Sequence, residues 1–313
     1  MSTNSSGYTH TVGRFAPSPT GLLHFGSLVT AVASFCFAKS QGGKWLVRME
    51  DLDTPRNVPG AADAILRQLE HLGLFWDETV LYQSSRHEFY TDTLQNLIDS
   101  DRVYRCICTR REIAAQARQQ SAAGPIYSGH CRLSGHSAEK RGSWRFKVGH
   151  ECITFTDLLC GDVDQSLIHE VGDYILKRAD SIFAYQFATP LDDAAQQITQ
   201  VIRGVDLLDS TPRQIYLLRS LNKNIPVYGH IPLALDRNGN KISKSSQALR
   251  EIDSSFPLPF DTPDLFKALR FLGQNPSISL QYSHPVELLS WAVNNFTPRA
   301  IPRHNLAAHT FSA

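Results

Sequence analysis

The first third of the chain sets short apolar runs apart with polar breakers, and it predicts three strands with helices between them. Thr11–Ala16 is a β-prone run that stops at Pro17-Ser-Pro-Thr-Gly21, a cluster of breakers. Phe25–Ser40 predicts a buried helix ended by Gly42-Gly43, and Lys44–Met49 predicts a second strand. Pro59–Leu72 reads as a helix with proline at its start and Gly73 at its end. Glu88–Ser100 places Tyr90, Leu94, Leu97 and Ile98 on one helical face, and Val103–Cys108 returns to strand. This order of strands joined through helices predicts an α/β fold whose parallel sheet carries helices on both faces.

The β pattern resumes at Ser143–Val148, Ile153–Leu158 and Tyr174–Arg178, and the apolar runs Ile182–Pro190 and Ile198–Ile202 read as core strands. A helix from Pro212 to Leu221 and a strand-like Ile225–Leu235 follow, then a polar loop, Asp236–Asn240. Asp261–Leu272 and Pro285–Asn295 predict two helices in a short C-terminal module. There is no internal repeat.

Composition narrows the class. At 313 residues, with 42% hydrophobic and 19% charged residues, the chain is a folded globular protein with material for about two domains. The longest uncharged apolar stretch, Phe25–Ala38, falls short of the ~20 residues a membrane span needs, and residues 1–11 carry no signal pattern. The six cysteines do not read as a disulfide scaffold, so a cytoplasmic protein with reduced thiols is expected. Net charge is only +1, but it is unevenly spread. Between Arg102 and Lys147 ten Lys and Arg stand against Glu112 and Glu139, a net +8 that leaves −7 for the rest. Such a segment is either a solvated surface or a patch that neutralises phosphates.

Two constellations suggest nucleotide chemistry. The first, Arg14-Phe-Ala-Pro-Ser-Pro-Thr-Gly-Leu-Leu-His24-Phe-Gly26-Ser27, leads from a strand into a long helix. A helix start presents unpaired N–H groups and a partial positive charge, which suits phosphate. Gly26 permits close approach, and His24 can donate to a phosphate oxygen without a permanent charge. The second, Lys241-Ile-Ser-Lys244-Ser245, puts two lysines on a loop that can close on a leaving polyphosphate.

In this order, about 217 residues apart, the two motifs resemble the signatures of class I aminoacyl-tRNA synthetases. Arg14-Phe-Ala-Pro-Ser-Pro-Thr-Gly followed by Arg48-Met-Glu-Asp-Leu-Asp-Thr-Pro-Arg56 is similar to the glutamyl branch. Ser27 stands where the general signature has a second histidine, and small residues are usual there in that branch. Only 68 residues follow Ser245, too few for an anticodon-reading region, so the architecture resembles the glutamyl-queuosine tRNA(Asp) synthetase family. The resemblance implies a Rossmann-like parallel-sheet catalytic domain with an inserted zinc-binding segment and a short helical C-terminal module. Its expected divisions are 1–102, 103–147 for the basic insertion, 148–246 with the lysine loop, and 247–313.

It also implies activation of glutamate by ATP and transfer to queuosine in the anticodon of tRNA(Asp). The expected partners are therefore ATP, L-glutamate and queuosine-bearing tRNA(Asp), with no membrane, and the chain is expected to be a monomer. By match, Arg14, Phe15, Ala16, Pro17, Ser18, Glu50, Tyr185 and Arg203 would hold glutamate. Arginine grips carboxylates through a bidentate fork, which fits Arg14 and Arg203, and Glu50 would hold the α-ammonium. ATP would meet His24, Gly26, Ser27 and Lys244, with Mg²⁺ on its oxygens, and His24, Lys241 and Lys244 would assist the chemistry. The alternatives are a compact glutamyl-tRNA synthetase charging the tRNA 3′ end, and a silent paralogue that only binds RNA.

Cys106-Ile-Cys108 … Tyr127-Ser-Gly-His130-Cys131 places three cysteines within 26 residues of the basic segment, a candidate structural Zn²⁺ site. Ligand chemistry favours His130 as the fourth donor, and the resemblance favours Tyr127. Cys36, Cys152 and Cys160 lie in apolar runs without ligand spacing and read as packed.

Overall fold

The structure, a computed structural model, describes residues 10–117, 120–121, 124–236, 239–240 and 260–307. Strand β1 (Val12–Phe15) leads into helix α1 (Phe25–Lys39), then β2 (Lys44–Met49), α2 (Ala61–His71), β3 (Leu81–Tyr82) and α3 (His87–Asp99). β4 (Val103–Cys106), β5 (Ser143–Phe146), β6 (Cys152–Asp157), β7 (Gly161–Ser166) and β8 (Tyr174–Lys177) follow. The chain closes with α4 (Tyr185–Ala195), β9 (Gln200–Gly204), α5 (Thr211–Ser220), β10 (Val227–Ile231), α6 (Thr262–Phe271) and α7 (Pro285–Asn295).

Five strands form a parallel sheet in the order β10-β9-β1-β2-β3. β1 therefore lies between its sequence neighbour β2 and β9, which arrives nearly two hundred residues later. Where strand order reverses in this way, the connections leave to opposite faces and open a crevice at the carboxyl ends of the strands. Helix α1 has buried residues around its whole circumference, from Leu28 to Ala38. Strands β1 and β9 lie against it on one side and α6 and α7 on another, so Leu265, Phe266, Leu269 and Leu288 join its core. The approach to β1 is close, because a Cβ on Gly13 would sit 3.0 Å from Ala38 Cβ.

Three expectations change. Val103–Cys106 does not join the parallel sheet. It pairs antiparallel with β5, which pairs antiparallel with β8, in a separate three-stranded sheet. The edge place in the parallel sheet goes to the two-residue β3, too short to show in the hydrophobic pattern. The run Ile182–Pro190 is not a strand: from Tyr185 it is helix, buried without a break from Phe187 to Asp193. A fully buried helix has no polar face, so its short apolar run carries no period that separates it from a strand. Finally, Cys152 and Cys160 are exposed, while Cys36 is buried; all six cysteines are free. No helix among the described residues is long and apolar enough to cross a membrane.

Candidate active site

The crevice at the carboxyl ends of β1, β2 and β9 opens into a cavity of about 980 Å³. Every described residue expected to hold glutamate or ATP lines it, from Arg14–Ser18 through His24 and Glu50 to Tyr185 and Arg203. The loops that follow β1 and β2 are tied together, with the Glu50 N–H donating to the Pro17 carbonyl at 2.9 Å. Lys241 and Lys244 lie outside the described residues.

His24 is the N-cap of α1. Its Nδ1 accepts the Ser27 N–H at 3.3 Å, and its Nε2 lies 3.1 Å from the Ser27 hydroxyl. The ring thus satisfies one of the donors that a helix start leaves open, and Ser27 serves as its partner through both backbone and side chain.

A buried charge network stands behind the cavity. Arg14 Nε donates to Asp193 Oδ1 at 3.1 Å. Arg48, fully buried, donates to the same oxygen at 2.7 Å, to Gln196 at 2.9 Å and to Glu50 Oε1 at 3.4 Å. Asp192, beside it on α4, accepts from Arg86, Gln83 and the Tyr90 hydroxyl. Burial opposes the ionisation of Asp193, yet the Arg14 and Arg48 charges hold its carboxyl below the usual range. Glu50 goes the other way: burial raises it against the pull of Arg48, Arg14 and Thr189. Its Oε1 also accepts from Thr189 at 2.9 Å, and its Oε2 has no hydrogen-bond partner among the described residues. Thr189, Asp192 and Asp193 were not singled out in the sequence, and Arg48 entered only as the first residue of the motif that ends at Arg56. Charged residues inside the apolar runs of β2 and α4 were the available signal, because such residues need partners.

Arg203 differs from both other arginines. It is 3% exposed, and no carboxylate among the described residues lies within ion-pairing distance of it. Its N–H groups go to neutral acceptors: the Tyr185 hydroxyl at 2.9 Å, Gln214 Oε1 at 2.8 Å, Thr211 Oγ1 at 2.7 Å, His230 Nε2 at 3.1 Å and the Leu207 carbonyl at 3.4 Å. Arg203 is thus a buried cation without a counter-charge among the described residues, and such a group is costly unless a ligand supplies the anion.

The three sulfurs of Cys106, Cys108 and Cys131 lie within 4.8 Å of one another. The Tyr127 oxygen sits 3.3 Å from Cys106 Sγ and 3.7 Å from Cys108 Sγ, and it accepts the Cys131 N–H at 2.9 Å. Tetrahedral Zn²⁺ with S ligands at ~2.3 Å separates them by about 3.8 Å, so this donor set fits. His130 is exposed and is not part of the sulfur group. The Arg145 guanidinium lies 3.9 Å over the Tyr127 ring. Although burial opposes it, bonds to Tyr127 and Arg145 lower the Cys106 thiol, while burial pushes Cys108 up to about 12. Tyr127 and Arg145 also line the large cavity.

Residues 10–278 match the family described as tRNA synthetases class I (E and Q), catalytic domain. A glutamyl-Q tRNA(Asp) synthetase of Dechloromonas aromatica (strain RCB) is 47% identical over 94% of this chain and 96% of its own length. One from Geobacter sulfurreducens is 48% identical over 93% of each chain. Among solved structures, a glutamate tRNA ligase from Elizabethkingia meningosepticum in complex with its amino acid superposes with a TM-score of 0.75. It is 25% identical, and the match covers 96% of this chain and 68% of that one. The chain belongs to the class I tRNA synthetases of the glutamate and glutamine type, a family of ligases, and within it to the glutamyl-Q tRNA(Asp) synthetases.

Proposed function

We propose that this protein activates glutamate with ATP and transfers the glutamyl group to queuosine in the anticodon of tRNA(Asp). The observation that carries the glutamate reading is Arg203, a buried cation surrounded by neutral acceptors in a cavity beside an α-helix N-terminus. The acceptor follows from the names of relatives that align with nearly the whole chain.

In this reading the glutamate side-chain carboxylate pairs with Arg203, displacing its longest contact, the Leu207 carbonyl, and Tyr185 adds its hydroxyl. Arg14 is already paired through Nε and Nη2 with Asp193, so its role is to brace Arg48 and Asp193 and to offer its remaining nitrogen to the substrate. Glu50 Oε2 takes the α-ammonium, whose charge returns to Glu50 the ionised form that burial disfavours. The segment Arg14–Ser18 completes the glutamate pocket.

The α-carboxylate then attacks the α-phosphorus of ATP. No protein nucleophile is required; in-line placement and charge stabilisation do the work. ATP arrives as its Mg²⁺ complex, with its phosphates at the start of α1 beside His24, Gly26 and Ser27. Lys241 and Lys244 neutralise the departing pyrophosphate. A hydroxyl of the queuosine then attacks the activated carbonyl, forming the glutamyl ester, expelling AMP and giving up its proton.

When bound, Zn²⁺ would supply a structural crosslink and no chemistry, since Cys106, Cys108, Cys131 and Tyr127 fill four positions. Those residues hold the basic segment, ten Lys and Arg against two acids, in shape to meet RNA.

The test is ATP–pyrophosphate exchange with glutamate in the absence of tRNA, followed by glutamate transfer to tRNA(Asp) with and without queuosine. Exchange with transfer only to the queuosine-bearing tRNA is expected. Charging of the 3′ end would establish the compact glutamyl-tRNA synthetase instead, and absence of exchange would leave a silent RNA-binding paralogue.

A further inference from the structure

The strand register sets Arg203 of β9 directly beside His230 of β10. Arg203 Nε donates to His230 Nε2 at 3.1 Å. Arginine has no acceptor, so hydrogen-bond logic assigns a lone pair to Nε2. Thr211 Oγ1 accepts from Arg203 Nη2 at 2.7 Å and lies 3.1 Å from His230 Nε2, a contact that either tautomer allows. The ring proton is therefore on Nδ1, which donates to Asp157 Oδ2 at 2.6 Å.

Asp157 is fixed in turn. Its Oδ1 accepts three backbone N–H groups, from Leu159 at 3.0 Å, Cys160 at 2.9 Å and His230 at 3.1 Å. The Asp157 and His230 side chains have no exposed surface, and neither lines the substrate cavity. Burial disfavours the charged imidazole; Asp157 pulls the other way, and the charges of Arg203 and Arg14 add to the disfavour.

We propose that Asp157 and His230 are a positioning dyad that sets the imidazole tautomer and so directs the Arg203 guanidinium toward the substrate carboxylate without neutralising it. A carboxylate bonded directly to Arg203 would orient it equally well, but it would occupy the charge, as Asp193 occupies that of Arg14. An imine nitrogen accepts the same N–H and brings no counter-charge. The carboxylate one ring further back fixes which nitrogen is the acceptor and strengthens it. The inference rests on the reading that Arg203 binds glutamate.

Asp157→Asn isolates the tautomer, because it keeps the shape. Three backbone N–H groups require the amide oxygen to occupy the Oδ1 position. The amide nitrogen must then face His230 Nδ1 and donate to it, which moves the ring proton to Nε2. Two donors would then confront each other at Arg203. The protein is tested by ATP–pyrophosphate exchange with separate titrations of glutamate and ATP, and by ¹⁵N NMR of the histidines, with His230 assigned through His230→Gln. Expected in the wild type is an Nδ1-protonated ring. Expected in Asp157→Asn is an Nε2-protonated ring with a glutamate KM raised about 10- to 100-fold, the worth of one hydrogen bond to a charged group, and an unchanged ATP KM.

A wild-type enzyme that exchanges, beside an Asp157→Asn variant with unchanged glutamate KM, overturns the dyad and leaves the glutamate reading standing. Equal rises in both KM values overturn it as well, since they mark a merely structural residue. No exchange in the wild type defeats the glutamate reading itself. Should Asp157→Asn fail to fold, the wild-type spectrum still decides, because an Nε2-protonated His230 contradicts the proposal.

Discussion

The Arg14 guanidinium and the Asp193 carboxylate meet at 3.1 Å, 179 residues apart in sequence and both buried. Asp193 also holds Arg48, so a single side chain of α4 fastens two neighbouring strands of the parallel sheet. Asp193→Asn keeps the volume but leaves the buried Arg14 without a counter-charge among the described residues and Arg48 with only Glu50 and Asp192. Breaking a buried pair from one side costs about 3–5 kcal/mol, and a loss of that size is expected in denaturant unfolding. A loss below ~1 kcal/mol, the range of surface ion pairs, would show that the network is not an anchor.

The same pair sets an acid limit. The folded-state pKa of Asp193 lies below its unfolded value of about 3.9. Its contribution is therefore complete above that unfolded value and is lost as pH falls through the depressed folded value. Unfolding free energy measured against pH should decline in this window in the wild type, and less steeply in Asp193→Asn. Superimposable acid limbs would refute the assignment.

Arg203→Ala should cost roughly 2–5 kcal/mol in glutamate recognition, because it removes the charged partner of a buried carboxylate. ATP binding should be spared. Equal loss of both substrates in exchange kinetics would make Arg203 a structural residue.

One Zn²⁺ per chain is expected by metal analysis. Cys108→Ser should abolish it and weaken transfer to tRNA more than adenylate formation. Tyr127→Phe should lower metal content, whereas His130→Ala, at an exposed position outside the sulfur group, should leave it intact. Retention with Tyr127→Phe and loss with His130→Ala would reverse the choice of fourth ligand.

Lys244→Ala should reduce the exchange rate more than ATP affinity, since its charge matters most as pyrophosphate separates. Unchanged turnover would remove this lysine from the chemistry.

By itself the sequence determined what adjacent residues decide. The β1–α1–β2 start is legible because a strand, a breaker and a buried helix follow one another within forty residues. The residues from Arg14 to Ser27 carry their own context, since a strand exit and a helix start are local. The Cys106, Cys108 and Cys131 cluster is legible from spacing, although Tyr127 came from resemblance, because spacing alone does not choose between a phenol and an imidazole.

Tertiary structure alone decided which charges neutralise which. Arg14, Arg48 and Arg203 are alike in sequence, each a cation inside an apolar run. Only the order β10-β9-β1-β2-β3 brings Asp193 to the first two and gives the third a histidine instead. It also decided that the run after Ile182 is a helix, since a segment buried on every side shows no polar period to read. Pairings across more than a hundred residues depend on strand order and register, and neither is written in any local window. The crevice, and the buried Arg203 that meets no carboxylate among the described residues there, exist only after the two halves of the sheet have met.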